Sequence, residues 1–361
     1  MLYRIPNYYK EFECIADQCE DTCCAGWEIE VDKRSLAEYR KVSGEFGKRL
    51  RRSIDWRKGI FCRDRNERCA FLDNKNLCDI YKNLGAEHLC ETCRMYPRHV
   101  EEFENVREIT LSLSCPRVAQ ILLTRDEPVT FTNHQREGRE CYGDFDHALY
   151  QKLVKTRETM RDILQDRTME LELRMVLVLG IAHDIQGRIK REELEVCDEV
   201  LVRYGQERTR ASAARKLEKL RAEKSHKERM VSEQSGQDMS AREAEHQYEK
   251  TRRAFMEWMQ RHNKRWDIQR EQLLVYFMDT YFCGAVYDSE AYSKMQMAIG
   301  SVLLITEMLL ERWCNNGYTL EEKDIVRTVY YFSRETEHSD GNIEMLEEDM
   351  RCVTLDTIVF L

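Results

Sequence analysis

Four prolines in 361 residues leave few obligatory breaks. Because an interior proline removes a helix hydrogen bond and clashes with the preceding turn, their scarcity predicts a largely helical body. Long apolar runs are also missing. SVLLITEMLL from Ser301 and MVLVLGIA from Met175 fall short of the roughly 20 residues a spanning helix needs, so no membrane span is expected. The opening MLYRIPNYYKEFEC has no basic segment followed by an apolar one, so no secretory leader is expected either. Nor is there an excess of positive charge. Lys and Arg number 57 against 66 Asp and Glu, a net −9, which argues against a general nucleic-acid partner. With 42% hydrophobic and 34% charged residues, the chain reads as soluble and globular, long enough for two cored domains.

What the chain has in quantity is cysteine, fifteen in all, ten of them at or before Cys115. Disulfides in an exported protein or metal ligands in an intracellular one are the two ordinary uses. The missing leader and the uneven spread favour thiolate–metal chemistry in the cytoplasm. The adjacent pair Cys23-Cys24 points the same way, being awkward for pairwise bridging. The first run is Cys14-x4-Cys19-x3-Cys23-Cys24-x-Gly26-Trp27. The second is Cys69, Cys78, Cys90-x2-Cys93 and finally Cys115-Pro116. Iron–sulfur clusters and zinc both take four soft thiolates. Nine candidates (Cys14, Cys19, Cys23, Cys24, Cys69, Cys78, Cys90, Cys93 and Cys115) exceed one such site, so two sites, or one site plus structural cysteines, remain open.

The expected architecture is mainly α: a small irregular cysteine-rich α+β domain over residues 1–142, then an all-helical domain over 143–361. WEIEV and VREITLSLSC alternate as short strands do. SLAEYRKVSGEFGKRLRRSI reads as an amphipathic helix interrupted by Gly44 and Gly47. Pro116 suits a first helical position, which puts Cys115 at a helix N-cap. QLLVYFMDTYF reads as core. Residues 206–253 carry 13 basic and 9 acidic side chains and read as a solvated helix or excursion. Cys141, Cys197, Cys283, Cys314 and Cys352 sit singly in helical stretches and are expected to be buried.

The strings CxxxCCxGW, CAFL, CDIY, LCETCRMYPR and LSLSCP resemble those of the flagellin lysine-N-methylase family, within the broader cysteine-cluster, zinc- or iron-chelating proteins. SRETEHSDGN, from Ser333 to Asn342, is similar to a family block of the form SRExEHSxxN. The resemblance implies a cytoplasmic protein that uses S-adenosylmethionine and a [4Fe–4S] cluster, with zinc as the alternative metal, to methylate lysine side chains of flagellin or another protein. It also implies that the nine cysteines are the motif ligands, with Cys62 outside the pattern.

The residues beside these motifs supply chemistry of their own. Lysine methylation needs a neutral amine, so a carboxylate or histidine must receive its proton. Glu335, Glu337 and His338 are the candidate acid–base groups. Arg94, Arg98 and Arg334 are candidates for a donor carboxylate, and Asn342 for a hydrogen bond to the donor. The other reading of the block is a polar helix end followed by a Ser-Asp-Gly turn. No G-x-G-x-x-G joins a strand to a helix, so the common cradle for an adenosine-bearing donor is missing. Nor is there a C-x3-C-x2-C: Gly26 stands where its third cysteine would be. A second function, from another class, is a structural or electron-carrying cysteine cluster with a partner-binding helical body.

Overall fold

The computed structural model describes residues 1–233 and 239–359. A four-stranded sheet and a large helical body share one hydrophobic core, while residues 29–93 close around a second. The strands are β1 (Leu2–Pro6), β2 (Ile54–Asp55), β3 (Ile60–Phe61), β4 (Arg98–Phe103), β5 (Val106–Leu111) and β6 (Phe131–Gln135). The main sheet has the order β4-β5-β1-β6, and β2 pairs only with β3. β4 and β5 form a hairpin, β1 lies parallel to β5 (Leu2 opposite Val106), and β6 returns antiparallel to β1. VREITL, expected to be half-buried, is β5 and central, so Arg107, Glu108 and Thr110 are buried along with Leu111. WEIEV forms no strand: its one pairing is the isolated bridge Glu30–Ile60.

The second core is built from Ile29, Val31, Tyr39, Leu50, Phe61, Phe71 and Ile80, with Cys69 and Cys90 among them. Its helices are short: α1 (Lys33–Lys41), α2 (Gly44–Arg52), α3 (Asp79–Leu84) and α4 (Glu91–Met95). α1 and α2 are the single helix read from the sequence, split where Gly44 takes φ +75°, a conformation glycine adopts without a Cβ penalty. Asp32 caps α1 by accepting Ser35 N–H at 2.9 Å, and its other oxygen accepts Glu91 N–H at 2.9 Å, tying α4 to the same carboxylate.

α5 (Pro116–Leu123) starts at Cys115 as N-cap with proline in its first turn, as expected. The helical body then runs through α6 (His147–Leu164), α7 (Leu171–Lys190) and α8 (Cys197–Tyr204). It continues in α9 (Glu207–Glu233), α10 (Met239–His262), α11 (Trp266–Tyr281) and α12 (Ala285–Asp288). α13 (Ala291–Asn315), α14 (Glu322–Glu337), α15 (Asp340–Asp349) and α16 (Leu355–Val359) complete it. α11 is buried on every side from Gln269 to Thr280, its polar residues Gln269, Arg270, Glu271 and Gln272 included, so it runs inside the core. α13 packs against α7, α11 and α14. By length and composition it could cross a membrane, but 72% of its apolar window is buried inside the protein. The charged stretch 206–253 lies on α9 and α10, and its residues 234–238 fall outside the described residues.

A cluster of buried charges fastens sheet to body. Arg157 of α6 donates to both oxygens of Glu108 on β5, at 2.5 and 2.6 Å. Arg4 of β1 reaches Glu108 at 3.2 Å and Asp279 of α11 at 2.6 Å, and Arg161 adds a third guanidinium to Asp279 at 3.1 Å.

Candidate active site

Two segments far apart in sequence meet at the end of α14. β5 ends at Leu111, and Ser112 is held by its N–H to Pro97 O at 2.7 Å. This sets the short SLSC turn under α14's last turn. Glu337 Oε2 accepts from Ser333 Oγ at 2.8 Å, Tyr276 OH at 2.8 Å and Ser112 Oγ at 3.3 Å. Behind Ser112, Ser114 Oγ lies at 2.7 Å and Tyr96 OH at 3.1 Å from Ser114, a line of three hydroxyls ending at the carboxylate. Glu337 Oε1 is sealed from solvent, and the Tyr281 phenol is a further hydrogen-bonding neighbour of the carboxylate. Burial pushes the Glu337 carboxyl up from its ordinary range.

The neighbouring His338 faces the other way. Its ring lies 4.8 Å from Trp27 and 6.3 Å from Tyr96, centroid to centroid, and its Nε2 is buried without a hydrogen-bond partner among the described residues. Burial, aided by Arg334, lowers its pKa to about 4, so it is neutral near pH 7. Gly26 takes φ +88° and turns the chain so that Trp27 Nε1 donates back to Cys23 O at 2.8 Å. The CCxGW motif therefore leans on the SRExEH block through Trp27. Arg334 completes the junction. It donates to Ser114 O at 3.0 Å and Asp21 O at 3.2 Å and pairs with Asp21 Oδ2 at 2.8 Å, pinning the loop before Cys23 to the turn before Cys115.

All fifteen cysteines are free. Electrostatically the nine motif thiols form two linked groups, joined where Cys23 hydrogen-bonds Cys24 and where Cys93 feels Cys23. Cys23 and Cys115 each feel Cys14, and Cys115 also feels Cys19. Cys69 feels Cys24, Cys78 and Cys90, while Cys93 hydrogen-bonds Cys90 and also feels Cys24. The first group borders Tyr96 and Arg334, whose titrations respond to its thiols or act on them. The second lines the second core. The donor type suits a thiophilic metal. Yet among the described residues no three His, Cys, Asp or Glu side chains stand close enough together to hold an ion. Of the single cysteines, Cys197 and Cys283 are buried as expected, Cys314 is half-buried, and Cys141 and Cys352 are exposed.

The remaining candidates do not converge. Glu335 is exposed, and its carbonyl accepts Asn342 Nδ2 at 2.7 Å, so Asn342 serves as a cap on the end of α14. Arg94 is exposed on α4. Arg98 donates to Tyr9 OH at 2.8 Å. His99 lies 2.6 Å from Glu101; burial opposes its charge, but that carboxylate raises its pKa on balance. Sequence reading missed Ser112, Ser114, Asp21 and Tyr276. Tyr276 sat in a run read as core, and a phenol on a helix buried all round was the available signal, since a buried hydroxyl needs a partner.

These features define a protein whose N-terminal cysteine motifs and C-terminal acidic block share one buried junction. The model of the FliB lysine N-methylase C-terminal domain matches residues 157–361, and the chain belongs to that family. Among curated proteins it is similar to the lysine-N-methylase of Salmonella typhimurium (strain LT2), 30% identical over 126 residues, which is 33% of this chain and 31% of that protein. It is equally similar to the lysine-N-methylase of Salmonella choleraesuis (strain SC-B67). The flagellar biosynthetic protein FliU of Salmonella muenchen matches at 30% over 126 residues, 75% of its length. The match thus spans about a third of the lysine-N-methylases concerned. No solved structure matches.

Proposed function

We propose that the protein methylates lysine side chains of a protein substrate of the flagellin type, in the cytoplasm, with S-adenosylmethionine as donor. Family membership supports the reaction class, and the names of the relatives, lysine-N-methylase and FliU, support the substrate class. The observation that carries the reading is the buried Glu337 carboxylate, placed where both family motifs meet. Glu337 is the group that receives the amine proton, and its raised pKa suits it to hold one. Neutral His338 and Trp27 wall the junction on the side of the thiols. Arg94, exposed on α4, is the arginine proposed for the donor's carboxylate.

The nine cysteines of the region 1–142 are proposed to hold metal, a [4Fe–4S] cluster with zinc as the alternative. Cys14, Cys19, Cys23 and Cys115 are the set nearest the junction. These residues would hold the group, and an iron cluster bound by them would supply redox-active, Lewis-acidic chemistry. Cys24, Cys69, Cys78, Cys90 and Cys93 line the second core, which favours a structural duty for that group.

Anaerobically purified protein incubated with flagellin and labelled methyl donor tests the reading. Label on lysine, reduced at least a hundredfold by Glu337→Gln, is expected for the loss of a general base. Metal analysis of Cys23→Ser and Cys93→Ser tests the ligands, with metal content and soluble yield expected to fall together. Unlabelled flagellin from metal-replete protein that binds donor would defeat the enzymatic assignment.

A further inference from the structure

The positive charge of this acidic chain is gathered around the second core. Residues 33–68 carry 13 Lys and Arg against 5 Asp and Glu, an excess of eight in a chain whose total is −9, so the remainder stands at −17. All five acids are engaged. Glu38 pairs with Arg34 at 3.1 Å, Glu45 with Lys48 at 2.6 Å, and Glu67 with Arg63. Asp64 accepts the N–H groups of Asn66 and Arg68. Asp55 feels the charges of Arg57 and Lys58 but bonds to their backbone N–H groups, at 2.9 and 3.1 Å. Six exposed cations then have no ion pair among the described residues: Arg40 and Lys41 ending α1, Arg51 and Arg52 ending α2, and Arg57 and Lys58 on the β2–β3 turn.

The three pairs converge on Trp56. Its Nε1 donates to Arg51 O at 3.0 Å, Arg51 Nη1 donates to Val42 O at 3.0 Å just past α1, and the Arg40 guanidinium lies 5.0 Å from the centre of the indole. Helix dipoles account for basic residues in the last turns of α1 and α2, but not for the pair on the turn. Clustered like charges repel one another, and a surface needed only for solubility intersperses its signs.

We propose that this face docks an acidic segment of a polypeptide, the protein substrate, through its Asp and Glu carboxylates. Guanidinium forks match carboxylates. Those of Arg40, laid on Trp56, and Arg51, held by Val42 O, are ordered in advance, which lowers the entropy cost of binding. Nucleic acid fits less well. A long polyanion would run from the patch toward a body of charge −17, and the Trp56 ring, which could stack a base, already carries Arg40. A membrane surface fits less well too, because residues 33–58 show no exposed large apolar side chain to insert. That the acidic partner is the substrate rests on the lysine-methylation reading; that the face binds an acidic polypeptide does not.

The test is fluorescence anisotropy of the full chain with a short labelled peptide of alternating Glu and Gly, against its Gln-for-Glu counterpart. The Glu peptide is expected to bind and to be released as salt is raised, and the Gln peptide is not. Lys41→Gln, Arg52→Gln and Lys58→Gln together remove three of the cations without touching a hydrogen bond or ion pair of the described residues. This triple variant should weaken the Glu peptide roughly tenfold. Arg139→Gln, Lys190→Gln and Lys264→Gln together, exposed elsewhere, change the net charge equally and should leave affinity within about twofold. Equal binding of the two peptides overturns the proposal, as does equal weakening by the two triple variants. Tighter patch-dependent binding of duplex DNA, single-stranded RNA or phosphatidylserine vesicles than of the Glu peptide also overturns it. Labelled-methyl transfer to flagellin is scored separately, with KM expected to rise and kcat to hold in the patch variant. An unchanged KM alongside lost peptide binding removes the substrate from the proposal. If wild-type protein that binds the Glu peptide labels no lysine, the methylation reading fails and the acidic-polypeptide face stands.

Discussion

Arg334 and Asp21 are joined twice, side chain to side chain at 2.8 Å and guanidinium to backbone carbonyl at 3.2 Å, while the same guanidinium holds Ser114 O at 3.0 Å. One side chain thus sets the distance between the loop carrying Cys19 and Cys23 and the turn carrying Cys115. Lysine has the charge but not the planar fork. Arg334→Lys is therefore expected to cost about 1–3 kcal/mol of stability and to lower metal loading of purified protein. A urea midpoint and metal content both equal to wild type would show that the pairing is dispensable.

His338 ties stability to pH. Its folded pKa of about 4 lies below the ordinary value of 6.5, chiefly because it is buried. The unfolded chain therefore binds a proton that the folded chain refuses. This contribution is complete above pH 6.5 and is lost as pH falls from there toward about 4. Glu337, whose pKa is raised by burial, works in the opposite sense and loses stability as pH rises through its folded value. Replacing His338 with Gln should flatten the acid side of the stability profile, read from thermal midpoints between pH 7 and 4.5. An unchanged slope would place the acid sensitivity elsewhere.

The Arg157–Glu108 pair is sealed at the joint between sheet and helices, with Arg157 at 0% exposure. Removing one partner strands the other charge in the interior. Arg157→Met should destabilise by about 3–5 kcal/mol, and the double variant Arg157→Met with Glu108→Leu should recover a good part of it. Denaturant melts of the two proteins check this, and a double variant no better than the single one would argue against a stranded charge as the cause.

Gly300 lies on the buried face of α13, and a Cβ there would collide with the Met350 side chain. Gly300→Ala is expected to cost about 1–3 kcal/mol through overpacking, reduced as far as the flexible methionine can move aside. A pair with Met350→Ala should restore most of it. If Gly300→Ala instead raises the melting temperature, helix propensity has outweighed the contact.

Helical content, the start of α5 at Pro116 and the burial of α11 were legible because each follows from local rules of proline, capping and periodicity. The main sheet was not. β1 reads LYRIP and β6 reads FTNHQ, neither alternating cleanly; β1 is a strand because β5, far along the chain, offers it an edge, and β6 because β1 then offers another. WEIEV alternated well yet pairs only through the single bridge Glu30–Ile60. In the site, the acidic block was visible as residue types. Its sorting into a buried Glu337, an exposed Glu335 and an Asn342 that caps a helix depended on which face of α14 meets Ser112. The family blocks pointed to the same junction, since Trp27 and His338 belong to motifs at opposite ends of the chain.

Arg334 and Asp21 lie 313 positions apart. During synthesis both cores can begin to form from local pieces while the junction between them has no atoms on one side. The junction is therefore a late event in the life of each molecule, completed only after the last turn of α14 is made. Closing so large a loop costs entropy that only the finished contacts repay. A chain shortened just before Arg334 would keep most of its helices and all of its motif cysteines, yet have no place where the two ends of the protein meet.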